Sequence, residues 1–127
     1  MRDFGILVVD KDHTILEDFK RMFGYFDVKV DCVTSSASAL VSLRSHDYRT
    51  MITDVDMPEV DGLELASRAR ELHPKLNIML FTGNTSSHIM HFALGAKVSE
   101  ISFRTLNFGA MLNSLMNNET GKIFFLE

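Results

Sequence analysis

Cysteine occurs once, at Cys32, in a chain of 127 residues, so no internal disulfide can staple the fold. The thiol lies in an apolar stretch, 28–33, which predicts a buried, unreactive sulfur and suits a reducing compartment. Proline occurs only twice, and no Pro/Gly-rich or low-complexity segment marks a linker between two domains. Long apolar runs are missing as well. The run from Ile6 to Val9 meets charge at Asp10, far short of the ~20 apolar residues of a membrane span and too early for a signal peptide. The expectation is a cytoplasmic protein with no membrane partner. Positive charge is in short supply: 13 Lys and Arg stand against 17 Asp and Glu, a formal charge of −4. That balance predicts no direct contact with nucleic acid.

Apolar content is plentiful by contrast. Hydrophobic residues make up 46% of the chain and charged ones 24%, which predicts one packed core and argues against disorder. Short apolar strands alternate with amphipathic stretches. Residues 4–9 read as a strand covered on both faces, because the apolar run is almost continuous. Ile15, Phe19, Met22 and Phe26 then share one face of a helix over 14–25. A strand over 28–33 follows. Ser35 or Ser36 caps a helix carrying Ala37, Leu40 and Val41.

The third strand, 51–53, leads into an acidic loop punctuated by Pro58 and Gly62. A helix over 63–72 stops before Pro74, whose ring disfavours helical geometry at His73. A strand over 78–81, a helix over 86–94 ending at Gly95 and a strand over 97–101 come next. Phe108, Met111, Leu112, Leu115 and Met116 mark a last helix. The order is (βα)5. It predicts an α/β fold, a five-stranded parallel sheet with helices on both faces, in a domain over 1–118 with a tail over 119–127.

In such a sheet, loops at the carboxyl ends of adjacent strands meet in a crevice. Asp10 ends the first strand and Asp54 the third, so the fold can bring the two carboxylates together. Paired carboxylates supply hard oxygen ligands for Mg²⁺, and a carboxylate oxygen can attack an activated phosphoryl group. The plainer reading makes both residues loop acids or helix caps. The five histidines, His13, His46, His73, His88 and His91, lack a zinc-ligand pattern and read as surface or packing residues.

Asp54-Val55-Asp56-Met57-Pro58-Glu59-Val60-Asp61-Gly62 resembles the acidic loop of bacterial response-regulator receiver domains. Ile6-Leu7-Val8-Val9-Asp10, Phe81-Thr82-Gly83 and Gly95-Ala96 extend the resemblance across roughly the first 118 residues. The resemblance implies that Asp54 accepts a phosphoryl group from a phosphohistidine or a small phosphodonor. It further implies that Asp10, Asp54 and the Asp56 carbonyl hold Mg²⁺, and that the Thr82 hydroxyl contacts the phosphoryl group. A histidine kinase or phosphotransfer protein upstream and a signalling protein downstream are the implied partners. The implied contact surface maps onto residues 86–116. The apolar tail Phe124-Phe125-Leu126 either folds back over a groove of its own chain or joins another protomer, as in a homodimer, or a partner.

Two departures stand against that pattern. The family presents two neighbouring acids after the first strand, whereas Lys11 follows Asp10 here. An inward Lys11 pairs with Asp10 or Asp54 and competes with Mg²⁺; an outward one lies in water. Asp12 is a candidate replacement acid. Family spacing also puts Ser102 and Phe103 where a lysine and a proline belong, and Ser99 at an aromatic switch position. Lys97 and Arg104 are the nearest substitutes for that charge. The expectation is an atypical receiver that mediates signalling contacts without conventional phosphorylation. It is not a dedicated enzyme, and its Mg²⁺ site is weakened by Lys11. Alternatives are a Mg²⁺-dependent phospho-accepting receiver and a flavodoxin-like cofactor-binding protein. No organic cofactor is expected, because the first strand is followed by no hydroxyl-rich phosphate loop.

Overall fold

A computed structural model describes residues 5–25, 27–82, 100–103 and 123–124. Its elements are β1 (Ile6–Val9), α1 (His13–Gly24), β2 (Val30–Val33), α2 (Ser36–Ser45), β3 (Thr50–Thr53), α3 (Gly62–Leu72), β4 (Asn77–Thr82), β5 (Glu100–Phe103) and β6 (Ile123–Phe124). Every strand pair is parallel. The expected helices at 86–94 and after Phe108, with His88, His91, Lys97, Ser99 and Arg104, lie outside the described residues.

The five-stranded sheet expected from sequence is corrected. Four strands, β1 to β4, form the body whose side chains make the described core, and β5 and β6 continue it to six. The order is β2-β1-β3-β4-β5-β6. Strand β6 falls inside the segment expected to be a tail. Only two residues pair there, too few to carry an alternating pattern that a reading of sequence can detect. Strand β5 also begins later than the expected 97–101, at Glu100.

Alternation within the buried strands divides the core between the two faces. Leu7, Val9, Met51 and Ile78 face α2 and α3, where Leu40, Leu43, Leu65, Ala66 and Ala69 complete one cluster. Ile6, Val8, Ile52, Met79 and Phe81 face α1 and pack on Leu16, Phe19 and Phe23. Helices thus cover both faces of the four-stranded body, as expected. The predicted α1 face was rotated slightly: Ile15 and Met22 only flank the cluster, while Leu16, Phe19 and Phe23 fill it. Val41 lies in α2, as expected. It is 61% exposed, and α2 instead buries Ala39, Leu40 and Leu43.

The caps explain the helix boundaries. Asp12 begins α1 by accepting the Thr14 amide, and Ser35 begins α2 by accepting the Ser38 amide. Asp61 does the same for α3 with the Glu64 amide. At the far end of α3, His73 accepts no further helical turn before Pro74, and its Nε2 lies 2.6 Å from the Leu43 carbonyl of α2. On β2, Asp31 faces inward and accepts the Tyr48 hydroxyl at 2.6 Å.

Phe19 is fully buried, stacked 5.9 Å from Phe23 and edge-on at 5.2 Å to Phe81. Phe19→Ala is expected to cost ~3–5 kcal/mol through lost burial and a residual cavity. The check is a lower urea midpoint at an unchanged slope. Cys32 is only partly buried, more open than expected, with its thiol 3.9 Å from the Leu16 carbonyl. Burial pushes the thiol pKa up, with the Lys20 cation opposing and Glu17 and Asp31 adding to the rise. A raised pKa leaves less thiolate at any given pH. Alkylation of Cys32 near neutral pH is therefore expected to be slower than that of an exposed cysteine, as mass spectrometry against time would show.

Candidate functional site

The sheet order creates a crevice between β1 and β3. From β1 the chain crosses to β2 on one side, whereas β3, β4 and the remaining strands extend on the other. At such a switch point the two flanking loops leave in opposite directions and open a cleft at the carboxyl ends of the strands. Val9 pairs with Thr53, so Asp10 and Asp54 are the next residues on two adjacent strands. Backbone bonds fix both: the Asp54 amide donates to the Val9 carbonyl at 3.0 Å and the Asp10 amide to the Val33 carbonyl at 3.1 Å. Their side chains are buried, at 2% and 5% exposure. The expected juxtaposition of the two acids is what the register produces.

The loop after Asp54 is held from three sides. Gly62 donates to the Val55 carbonyl at 2.9 Å, and a Cβ on Gly62 would stand 1.9 Å from the Asp54 carbonyl oxygen. Only glycine permits that approach. Ser36, buried at the start of α2, donates to the Val60 carbonyl at 2.6 Å. Thr53 Oγ1 donates to the Asp54 carbonyl at 3.0 Å. Glu59 has a left-handed backbone, with φ 67°, within the turn that Pro58 opens. Ser36 was not foreseen in this role, since a serine near a helix start reads first as a cap.

Lys11 makes a contact that differs from the one expected. It reaches across to the β3–α3 loop, but its Nζ donates to the backbone carbonyl of Asp56 at 2.7 Å rather than taking a carboxylate as its hydrogen-bond acceptor. The Asp56 side chain itself is exposed. Asp12 does not take over as a second pocket acid. Its carboxylate is engaged in capping α1, and its amide donates to Asp10 Oδ1 at 2.9 Å. Thr82 ends β4, and Ser102 sits in β5 in register with Phe81. These backbone positions belong to the same carboxyl-end region of the sheet.

The donor set does not fit a divalent ion as it stands. Mg²⁺ needs near-octahedral oxygen ligation. Among the described residues no group of three His, Cys, Asp or Glu side chains is placed to hold a metal. The carbonyl that would add a third oxygen beside Asp10 and Asp54 already accepts an ammonium. A monovalent and a divalent cation about 4 Å apart repel by ~2 kcal/mol even at the dielectric constant of water, and more near protein. An ion using that oxygen would have to overcome the repulsion of the Lys11 ammonium.

The chain belongs to the response regulator receiver domain family, whose model matches residues 6–115. It is 47% identical over 49 residues to the response regulator receiver protein CpdR of Brucella abortus (strain 2308), a match covering 39% of this chain and 41% of that protein. It is 30% identical over 111 residues to the sensor protein EvgS of Escherichia coli O157:H7, covering 87% of this chain but 9% of that protein. The chain thus spans less than half the length of these relatives. The CheY-like receiver domain protein of Methanospirillum hungatei JF-1 superposes with a TM-score of 0.85 at 23% identity, covering 89% of this chain and 90% of that one. The BeF3-activated DrrB receiver domain superposes at 0.82 with 19% identity, covering 92% and 97%. These likenesses establish the fold. Among the described residues no helix is long and apolar enough to cross a membrane.

Gly62→Ala is expected to displace the Asp54–Asp56 backbone and lower stability by ~1–3 kcal/mol, the usual cost of overpacking. Thermal melting would measure the loss, and amide chemical shifts at 54–57 would move while those of α1 stay in place.

Proposed function

We propose that this receiver domain, residues 1–118, is a signalling contact module whose acidic crevice is held by its own ammonium group instead of Mg²⁺. Conventional aspartyl phosphorylation is not required for its output. The observation that carries the reading is the 2.7 Å hydrogen bond from Lys11 Nζ to the Asp56 carbonyl. A divalent ion at that carbonyl would draw the Asp10 loop and the β3–α3 loop together. Lys11 already joins the same two loops by a covalent tether and a charge-assisted hydrogen bond. The occupant of the crevice is then part of the chain and does not vary with ion concentration. The partner is a downstream signalling protein that reads the resulting surface.

A second reading rests on a different observation. Asp10 and Asp54 remain adjacent and buried, an arrangement that costs desolvation energy and has a use in phosphoryl acceptance. In that reading Asp54 is the acceptor, Thr82 contacts the phosphoryl group, and Asp10, Asp54 and the Asp56 carbonyl hold Mg²⁺ once Lys11 has moved. A histidine kinase or phosphotransfer protein is then the upstream partner.

Intact-mass measurement after exposure to a small phosphodonor, with and without Mg²⁺, separates the two. The unaltered chain is expected to gain no labile phosphoryl group under either condition. Lys11→Asp, which restores neighbouring acids, is expected to raise the melting temperature in Mg²⁺ where the unaltered chain shows no shift. A Mg²⁺-dependent gain in the unaltered chain, abolished in Asp54→Ala, would refute the ammonium-held reading.

A further inference from the structure

Two loops flank the crevice, and one short stretch of chain is bonded to both. At the end of β2 the Val33 carbonyl accepts the Asp10 amide at 3.1 Å, which fixes the start of the loop carrying Lys11. At the start of α2 the Ser36 hydroxyl donates to the Val60 carbonyl at 2.6 Å, within the β3–α3 loop that carries the Asp56 carbonyl. Residues 33–36 thus link the same two loops that Lys11 bridges, by a separate route. Their placement sets the gap across which Lys11 Nζ reaches the Asp56 carbonyl.

The helix itself does not need the Ser36 hydroxyl. Ser35 is the N-cap of α2: its side chain accepts the Ser38 amide, and its carbonyl accepts the Ala39 amide at 3.0 Å. Ser36 is buried, and burying a hydroxyl costs free energy unless it finds a partner. Alanine would continue the helix without that requirement. The bond to Val60 is therefore a use of the residue outside its own helix.

The acceptor lies in a turn that needs holding. Glu59, the residue before Val60, has φ 67°, a left-handed backbone in a residue with a Cβ. Such a conformation persists only where its surroundings enforce it. Beyond Val60 the chain is already anchored, since Asp61 caps α3 and the Gly62 amide donates to the Val55 carbonyl at 2.9 Å. Helix α2 is a firm support on the other side. It packs on α3 through Leu40, Leu43, Leu65 and Ala69, and at its far end the Leu43 carbonyl lies 2.6 Å from His73 Nε2.

We propose that Ser36 is a positioning residue for the Lys11 bridge, holding the β3–α3 loop where the ammonium meets the Asp56 carbonyl. The proposal rests on the reading of the crevice as held by Lys11. Without the hydroxyl the strained turn relaxes and the Asp56 carbonyl shifts. The lysine then loses its acceptor although neither partner of that bond has been changed. A displacement of the first turn of α2 reaches the crevice in the same way, through one hydrogen bond.

Magnetic resonance of the lysine ammonium groups tests it. In the unaltered chain a scalar coupling between Lys11 Nζ and the Asp56 carbonyl carbon is expected. The Lys11 ammonium hydrogens are expected to exchange with water more slowly than those of exposed Lys75. Ser36→Ala is expected to abolish the coupling and speed Lys11 exchange ~3–10-fold, the factor that one ordinary hydrogen bond represents. Ser36→Thr keeps a hydroxyl and is expected to retain both signatures, while Ser36→Cys, a weaker donor, falls between. Ser45→Ala removes another hydroxyl-to-carbonyl bond, to Val41 at 3.0 Å near the far end of α2, and is expected to change neither. A coupling that survives in Ser36→Ala, a Ser36→Thr chain no better than Ser36→Ala, or an equal loss in Ser45→Ala would each overturn the positioning role and leave the bridge standing. No coupling in the unaltered chain would remove the bridge, and the positioning role with it. Should Ser36→Ala fail to fold, Ser36→Cys decides by the same two signatures.

Discussion

Parallel pairing of β1 with β3 is the constraint on which the rest of the molecule depends. The register Val9 to Thr53 places Asp10 and Asp54 side by side at the point where the sheet reverses its winding. A slip of one residue would turn every side chain of a strand to the opposite face. Both strands are buried on two faces, so such a slip would disturb both core clusters at once. Core packing therefore protects the geometry of the crevice, although none of the packed residues takes part in its chemistry.

Two buried carboxylates are costly to a fold, and the crevice is organised around that cost. Asp10 Oδ1 accepts the Asp12 amide, and the same turn places Asp12 as the cap of α1. Lys11, between these two acids in sequence, extends in the other direction to the Asp56 carbonyl. Three successive residues thus perform three tasks. One lines the crevice, one bridges two loops, and one starts a helix. The close approach of Gly62 to Asp54 and the bond from Ser36 to Val60 make the loop a fixed acceptor for the lysine.

Family membership and the details of the crevice point in different directions. The match over 6–115 and the superpositions describe a scaffold that many signalling proteins share. Fold alone does not assign a mechanism, which lies in the particular groups of a site. Here Asp54 lies beside Asp10, while Lys11 stands where the resemblance leads one to expect a second acid and Ser102 where it leads one to expect a lysine. The chain keeps two buried acids at the switch point of the sheet and places a cation next to one of them in sequence.

Much of this was legible in the residues themselves. Apolar runs located β1, β2, β3 and β4, although β2 is only half-buried and carries Asp31. Helical spacing located α1, α2 and α3, and Ser35 was legible as the cap of α2, because it answers a local need of the backbone. The family resemblance also marked Lys11 as a departure from the usual pair of acids. Tertiary structure alone decided the acceptor of Lys11, the diversion of Asp12 to a cap, the burial of Ala39 in preference to Val41, and the presence of β6. Each of these depends on a neighbour distant in the chain, and spacing along one segment cannot specify which distant carbonyl, core face or sheet edge that segment will meet.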